Sequence, residues 1–187
     1  MNIFKTARAD PIELLYQRYA SRVYSLSLCL LDDIPTAEKA TATSFVTLAR
    51  LLHQRATPKN VENLLIGITV DIARQHYGSV PRPPTSGDFG MEGKEETPEG
   101  ALDPETLNGA TLEAAIRKLP LDLRFGFVLH DVGRLSHEEI AAMLDWTISR
   151  SKATLARARL ELRRLLLEAA QARSSLAHRH PGQQKTG

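Results

Sequence analysis

The apolar rhythm of this chain breaks once, and the break decides what it can fold into. Between Gly78 and Gly109 the sequence runs SVPRPPTSGDFGMEGKEETPEGALDPETLN, rich in proline, glycine and acid, with no apolar period. Such a stretch buries too little to order itself. Asp88, Glu92, Glu95, Glu96, Glu99, Asp103 and Glu105 would keep it extended and away from nucleic acid. On both sides apolar residues recur at three- and four-residue steps, the helical period, and no strand alternation is found. The expected fold is all-α, with an N-terminal three-helix bundle over 10–77, a flexible linker over 78–109, a C-terminal four-helix domain over 110–172 and a disordered tail over 173–187. A chain of 187 residues, 42% of them hydrophobic, can build two modest cores of this kind.

In the first half, Asp10-Pro11 is a cap followed by proline at the first helical position, and Ile12, Leu15, Tyr16, Tyr19, Val23, Leu26 and Leu30 follow as an inner stripe. The tyrosines Tyr16, Tyr19 and Tyr24 are expected mainly in the core. Ile34-Pro35 opens a second helix with Ala37, Ala40, Phe45, Leu48 and Leu52 inward, ending around Ala56-Thr57-Pro58. A third runs from about Asn60 to Tyr77, with Val61, Leu64, Leu65, Ile68 and Ile72 inward. Helices with connections this short pack as a bundle.

The second half carries the chemistry. Helical pattern resumes at Thr111, and another helix starts near Leu121. Ser136 and Glu139 then form a capping box, so a helix begins at Ser136 and ends near Leu144. After the turn Asp145-Trp146-Thr147, Thr147 caps a long helix with Ile148, Ser151, Leu155, Ala158 and Leu162 on its inner stripe. The outer face carries Ser149, Arg150, Lys152, Arg157, Arg163 and Arg164. From Thr147 to Ala172, Glu161 and Glu168 are the only acids. Two helices joined this way can set the second in a major groove, with basic side chains at base edges and phosphates. Trp146 is expected to plug the small domain's core.

Net charge of +2 is too mild by itself to imply a nucleic-acid partner, so the placement of charge matters more than its total. A lone cysteine, Cys29, leaves no disulfide framework and fits a buried thiol. No secretory signal or membrane-length apolar run is found, which fits a cytoplasmic protein without membrane insertion. His137-Glu138 starts like a zinc-protease helix, but the second histidine would fall at Ala141. His178-Arg179-His180 reads as a solvated stub. No nucleophile, phosphate loop or ligand cluster accompanies the paired acids Asp32-Asp33 and Glu95-Glu96, so no enzyme activity, metal or cofactor is expected.

LPLDLRFGFVLHDVGRLSHEEIAAML and SKATLARARLELRRLL resemble the C-terminal domain of the extracytoplasmic-function sigma factors of bacterial RNA polymerase, and LLYQRYASRVYSLSLCLLDDIPTAEKAT resembles their N-terminal domain. The likeness spans roughly residues 10–172. It implies a protein that directs promoter-specific initiation, with core polymerase and promoter DNA as partners and room for an anti-sigma protein. The resemblance assigns DNA contacts to Ser149, Arg150, Lys152, Ala153, Arg157 and Arg159. It assigns core-polymerase contacts to Glu38, Lys39, Thr41 and Phe45, and promoter opening to Arg74, His76 and Tyr77.

Departures from the family pattern cluster on the second helix. Thr36, Lys39 and Ala42-Thr43 stand where the family places carboxylates and a glutamine-glutamate pair, leaving Glu38. In the C-terminal domain, Arg134 replaces the glycine before Leu135, and Thr154 replaces an arginine. Two further readings stay open beside the sigma factor. One is a sigma-derived DNA-binding regulator that does not engage the core productively; the other is a protein-interaction module whose basic helix is a solvated face.

Overall fold

The computed structural model describes residues 11–31, 33–54, 58, 60–78 and 109–177. Every element among them is helical. They fall into two compact units, one carrying α1–α3 and the other α4–α7. Asp10, the segment 79–108 and the residues after Ala177 lie outside the described residues, and with them the expected first cap, nearly all of the linker and the histidine stub.

In the first unit, α1 spans Pro11–Leu30, α2 Ile34–His53 and α3 Val61–His76. Local chemistry sets the starts of α2 and α3. The Asp33 carboxylate accepts from the Thr36 amide and the Thr36 hydroxyl, both at 2.7 Å, bonds that hold its pKa below the usual carboxylate range. Asn60 accepts from the Asn63 amide at 3.1 Å and opens α3. The second helix ends at His53, earlier than expected, with Gln54 as its cap.

Val23, Phe45, Leu48, Leu65 and Ile68 form the centre of this bundle, with Leu15, Tyr19, Leu64 and Ile72 packed around them. The same interior holds four buried hydroxyls that the apolar stripes do not announce: Ser27, Thr41, Ser44 and Thr69. Each of the last three bonds a carbonyl one turn back in its own helix, at 2.8, 2.8 and 2.9 Å. Ser44 and Thr69 also meet at 3.0 Å between α2 and α3, and Thr41 donates to Ser27 at 3.3 Å between α2 and α1. Side chains this small let the helices approach closely without leaving a polar group unsatisfied. Two expected core positions are not in the core: Tyr16 is 51% exposed, its ring edge-on to Phe45, and Cys29 is half-buried. Tyr16 lies at the outer edge of the stripe, where a phenol keeps its hydroxyl in water while the ring covers Phe45.

In the second unit, α4 spans Gly109–Lys118 and α5 Leu121–Phe127, the latter running on as a π-helical turn over Val128–Val132. Then come α6, His137–Leu144, and α7, Ile148–Ala177. The last helix is the spine, with α4, α5 and α6 all packed on it. It outruns its expected end near Ala172, and Arg173 donates to the Thr111 hydroxyl at 2.6 Å, tying the last turns of α7 to the first turn of α4. Arg124 is buried and turned inward, where its guanidinium donates to the carbonyls of Arg117 and Leu119 that α4 leaves unpaired at its end.

Helices α5 and α7 touch at Gly126. A Cβ at this position would lie 2.7 Å from Thr154 Cγ2 and 3.6 Å from the Trp146 ring. Thr154 is buried and β-branched, so its methyl has little freedom to retreat. Gly126→Ala should therefore destabilise the second unit by about 1–3 kcal/mol, the usual cost of overpacking. Thr154→Ser, which removes only the opposing methyl, should restore most of the loss, as chemical denaturation of the four proteins of this double-mutant cycle would measure.

Candidate nucleic-acid interface

The turn between α6 and α7 is built from both sides. Ser136 accepts from the Glu139 amide at 3.2 Å while the Glu139 carboxylate accepts from the Ser136 amide at 2.8 Å, completing the capping box expected from sequence. At the far end Asp145 takes a left-handed conformation, φ 55° and ψ 47°, and the Trp146 amide donates to the Ala141 carbonyl at 2.9 Å. Asp is among the few residues that tolerate this conformation. Two residues later the Thr147 hydroxyl accepts from the Arg150 amide at 3.1 Å and opens α7. The turn expected at Asp145-Trp146-Thr147 is thus held by a cap on each side.

Trp146 sits half-buried in this turn against Gly126, and the Arg150 guanidinium lies 4.4 Å from its ring centroid. The contact holds the Arg150 guanidinium against the turn and helps fix the first turn of α7. On the buried face of α7, Ser151, Thr154, Leu155, Ala158 and Leu162 turn inward. Ile148, expected with them, is 41% exposed, because the capped first turn lies beyond the surface that α5 and α6 cover. The outward face carries Ser149, Lys152, Arg157 and Arg159, all exposed, with Ala153 half-buried between them.

The basic face is shorter than sequence suggests. Arg164 is bound by both Glu161 and Glu168 on its own helix, its Nε 2.9 Å from Glu161 Oε2. These are the two acids of the helix through Ala172, so charge beyond Leu160 is largely compensated. Positive potential gathers on the first three turns, the end that enters a groove in helix-turn-helix proteins.

One feature of this surface escaped the sequence pattern. His130 and His137 stack, centroids 4.8 Å apart and planes 29° from parallel. The Nδ1 of His137 lies 2.9 Å from the Oγ of Ser151 on α7. Partial burial, His130, Lys152 and Arg159 push the His137 pKa below the usual imidazole range, against a smaller opposite pull from Glu138. The available signal was a histidine directly after a capping serine, paired with a serine on the inner stripe of the next helix. No group of three or more metal-binding side chains occurs among the described residues.

In the first unit the expected polymerase contacts divide. Glu38 and Lys39 are exposed on α2. Thr41 and Phe45 are largely buried: Thr41 bonds within the bundle and reaches the floor of the cleft described next, and Phe45 belongs to the core. The outer face of α2 presents Glu38, Lys39, Ala42, Thr43 and Val46, and beside it a cleft is lined by Tyr16, Ala20, Ser21 and Tyr24 of α1 and Glu38, Thr41 and Ala42 of α2. Among the residues expected to open DNA, Tyr77 donates its hydroxyl to the Leu30 carbonyl at 3.1 Å and takes the His76 ring edge-on at 4.9 Å. Its ring is half-buried and pinned to the end of α1, so it is no free stacking platform; His76 is exposed and Arg74 half-exposed.

Every described element is helical, and a capped helix-turn-helix presents a basic face, the arrangement that DNA-reading proteins use. Residues 110–162 match the family Sigma-70, region 4. The chain is 30% identical over 153 residues to the ECF RNA polymerase sigma factor SigE of Mycolicibacterium smegmatis, a match covering 80% of this chain and 59% of that one. It is 25% identical to the RNA polymerase sigma-H factor of Pseudomonas aeruginosa, over 79% of this chain and 81% of that protein. To the RNA polymerase sigma factor YlaC of Bacillus subtilis it is 27% identical, over 83% and 91%. The sigma factor RpoE of Bartonella quintana, solved in complex with the anti-sigma factor NepR, shares the fold with TM-score 0.58 and 18% identity over 82% of this chain and 95% of that one. Over most of its described length the chain is thus similar to RNA polymerase sigma factors, an extracytoplasmic-function one among them.

Against that family's pattern, Arg134 gains a physical meaning. It holds φ at 54°, a conformation that suits the glycine usual before Leu135 and strains any residue with a Cβ. Arg134→Gly should raise the stability of the folded chain by roughly 1 kcal/mol, read as a higher denaturation midpoint at an unchanged m-value.

Proposed function

We propose that the protein is a sigma factor that directs promoter-specific transcription initiation by bacterial RNA polymerase, working in the cytoplasm as a specificity subunit and not as a catalyst. The observation that carries the reading is the exposed basic face on the first turns of α7, held by a capped helix-turn-helix within a region-4 match. In this reading residues 110–172 bind the upstream promoter element. Ser149, Arg150, Lys152 and Ala153 meet base edges or groove walls, while Arg157 and Arg159 hold phosphates. Residues 10–77 dock on the core enzyme and engage the opened strands with Arg74 and His76, and 78–109 span between them. An anti-sigma partner is the natural regulator of such a chain.

The polymerase-facing surface works differently from the family pattern. With Glu38 beside Lys39, and Ala42 and Val46 exposed on the same face, docking rests more on apolar contact than on carboxylates. The same feature supports the second reading, a sigma-derived regulator that binds DNA without productive core engagement. Run-off transcription with core polymerase and a selected promoter library separates them. The sigma factor gives discrete initiation that requires the protein, whereas the regulator binds DNA and yields no transcript. Lys152→Ala and Arg157→Ala should each weaken DNA binding and lower the slope of log affinity against log salt by about one phosphate. An unchanged slope in both would remove α7 from the groove.

A further inference from the structure

We propose that His130 and His137 form, with Lys152 and Arg159, a proton-linked phosphate clamp at the start of the helix-turn-helix, so that DNA binding takes up a proton and tightens as pH falls. The inference rests on the DNA-binding reading above and adds to it a pair of residues and a regulatory variable. The geometry supplies the site. The two rings stack at 4.8 Å, and His137 opens α6 directly after its capping serine. Its Nδ1 is engaged by Ser151 at 2.9 Å, which leaves the other ring nitrogen as the group able to meet a ligand. Lys152 and Arg159 reach the same ring electrostatically from α7, and His130 does so from the π-helical turn; Glu138, on α6 itself, is the acid that opposes them. An imidazole beside the cations of α7 suits a phosphate oxygen.

The sign follows from linkage. In the free protein His137 stays neutral near pH 7, because burial, His130, Lys152 and Arg159 hold its pKa down. A phosphodiester seated in the clamp adds a negative charge and raises it. The complex then holds more protons than the free protein at pH values between the lowered and the raised pKa, so affinity grows as pH falls through that window and is insensitive to pH above it. The Ser151 bond gives the pair a second effect: a charged His137 can only donate through Nδ1, which locks the orientation of the ring against α7.

Binding of the full chain to a fluorescein-labelled random-sequence duplex, at constant salt, tests this, since phosphate contacts do not depend on sequence. Affinity should be about three- to tenfold higher near pH 6 than near pH 8, a tenfold change corresponding to one unit of pKa shift. Asn keeps a hydrogen-bonding group near the position of Nδ1 and cannot titrate in this range. His137→Asn, confirmed as folded by its melting curve, should therefore cut the pH ratio to about twofold or less, whatever its affinity near pH 8. Calorimetry in two buffers of different ionisation enthalpy should show proton uptake by the wild type that the variant lacks. Two results overturn the clamp: an affinity that does not rise with acidity, or a variant that keeps the wild-type ratio, which, if binding is also weakened equally at both pH values, would mark His137 as merely structural. A chain that binds the duplex at neither pH would overturn the DNA-binding reading itself.

Discussion

The second unit depends on one missing side chain. Because position 126 carries no Cβ, α5 comes close enough to α7 for Thr154 and the Trp146 ring to close over it. That approach fixes where α7 leaves the turn, and Arg150, stacked on Trp146, is fixed along with it. The rest of the recognition surface inherits its direction from this contact. Lys152, Arg157 and Arg159 sit on the same rigid helix, so their positions relative to a groove are set by packing and not by flexible loops. Buried Arg124 serves the same end from behind: it donates to the carbonyls of Arg117 and Leu119 and so ties α5 to the end of α4.

Much of this was legible in the sequence because helix ends are written locally. A hydroxyl or carboxamide that captures an amide two or three residues ahead needs no tertiary context, and the starts marked by Ser136, Thr147 and Asn60 fall where their side chains put them. What sequence could not give depends on neighbours far along the chain. The hydroxyls of Ser27, Thr41, Ser44 and Thr69 look like polar interruptions of an apolar stripe, yet each sits in the interior because a carbonyl one turn back or a partner on the next helix satisfies it. Ile148 and Tyr16 fail in the opposite direction. Periodicity assigns them inward, but it describes a helix face without saying how far along the helix the neighbours reach. The histidine stack is a third kind of case, brought together only when α6 and the π-helical turn fold.

Charge shows the same difference between a count and an arrangement. A tally of basic residues treats all of α7 alike, whereas the geometry divides it. Arg164 is enclosed by Glu161 and Glu168, which spends both acids on one exposed base and leaves the stretch after Leu160 close to neutral. Exposed pairs of this kind add little to stability. Their consequence is electrostatic: they confine the unbalanced potential to the first turns, so long-range attraction to a polyanion and short-range contact draw on the same few side chains.

The first unit reverses that economy. Its α2 face carries Lys39, Ala42 and Thr43, with Val46 exposed beside them and Glu38 as the neighbouring carboxylate. Charged rims mainly accelerate encounter and exclude wrong partners, while apolar centres slow dissociation. A face of this composition would meet a charged partner surface with weak dependence on salt and would rely on shape and apolar burial for its lifetime. The same reasoning bears on regulation. A partner that covers Tyr16, Val46 and the cleft between α1 and α2 would compete for this face through apolar contact, and raising salt would do little to relieve it.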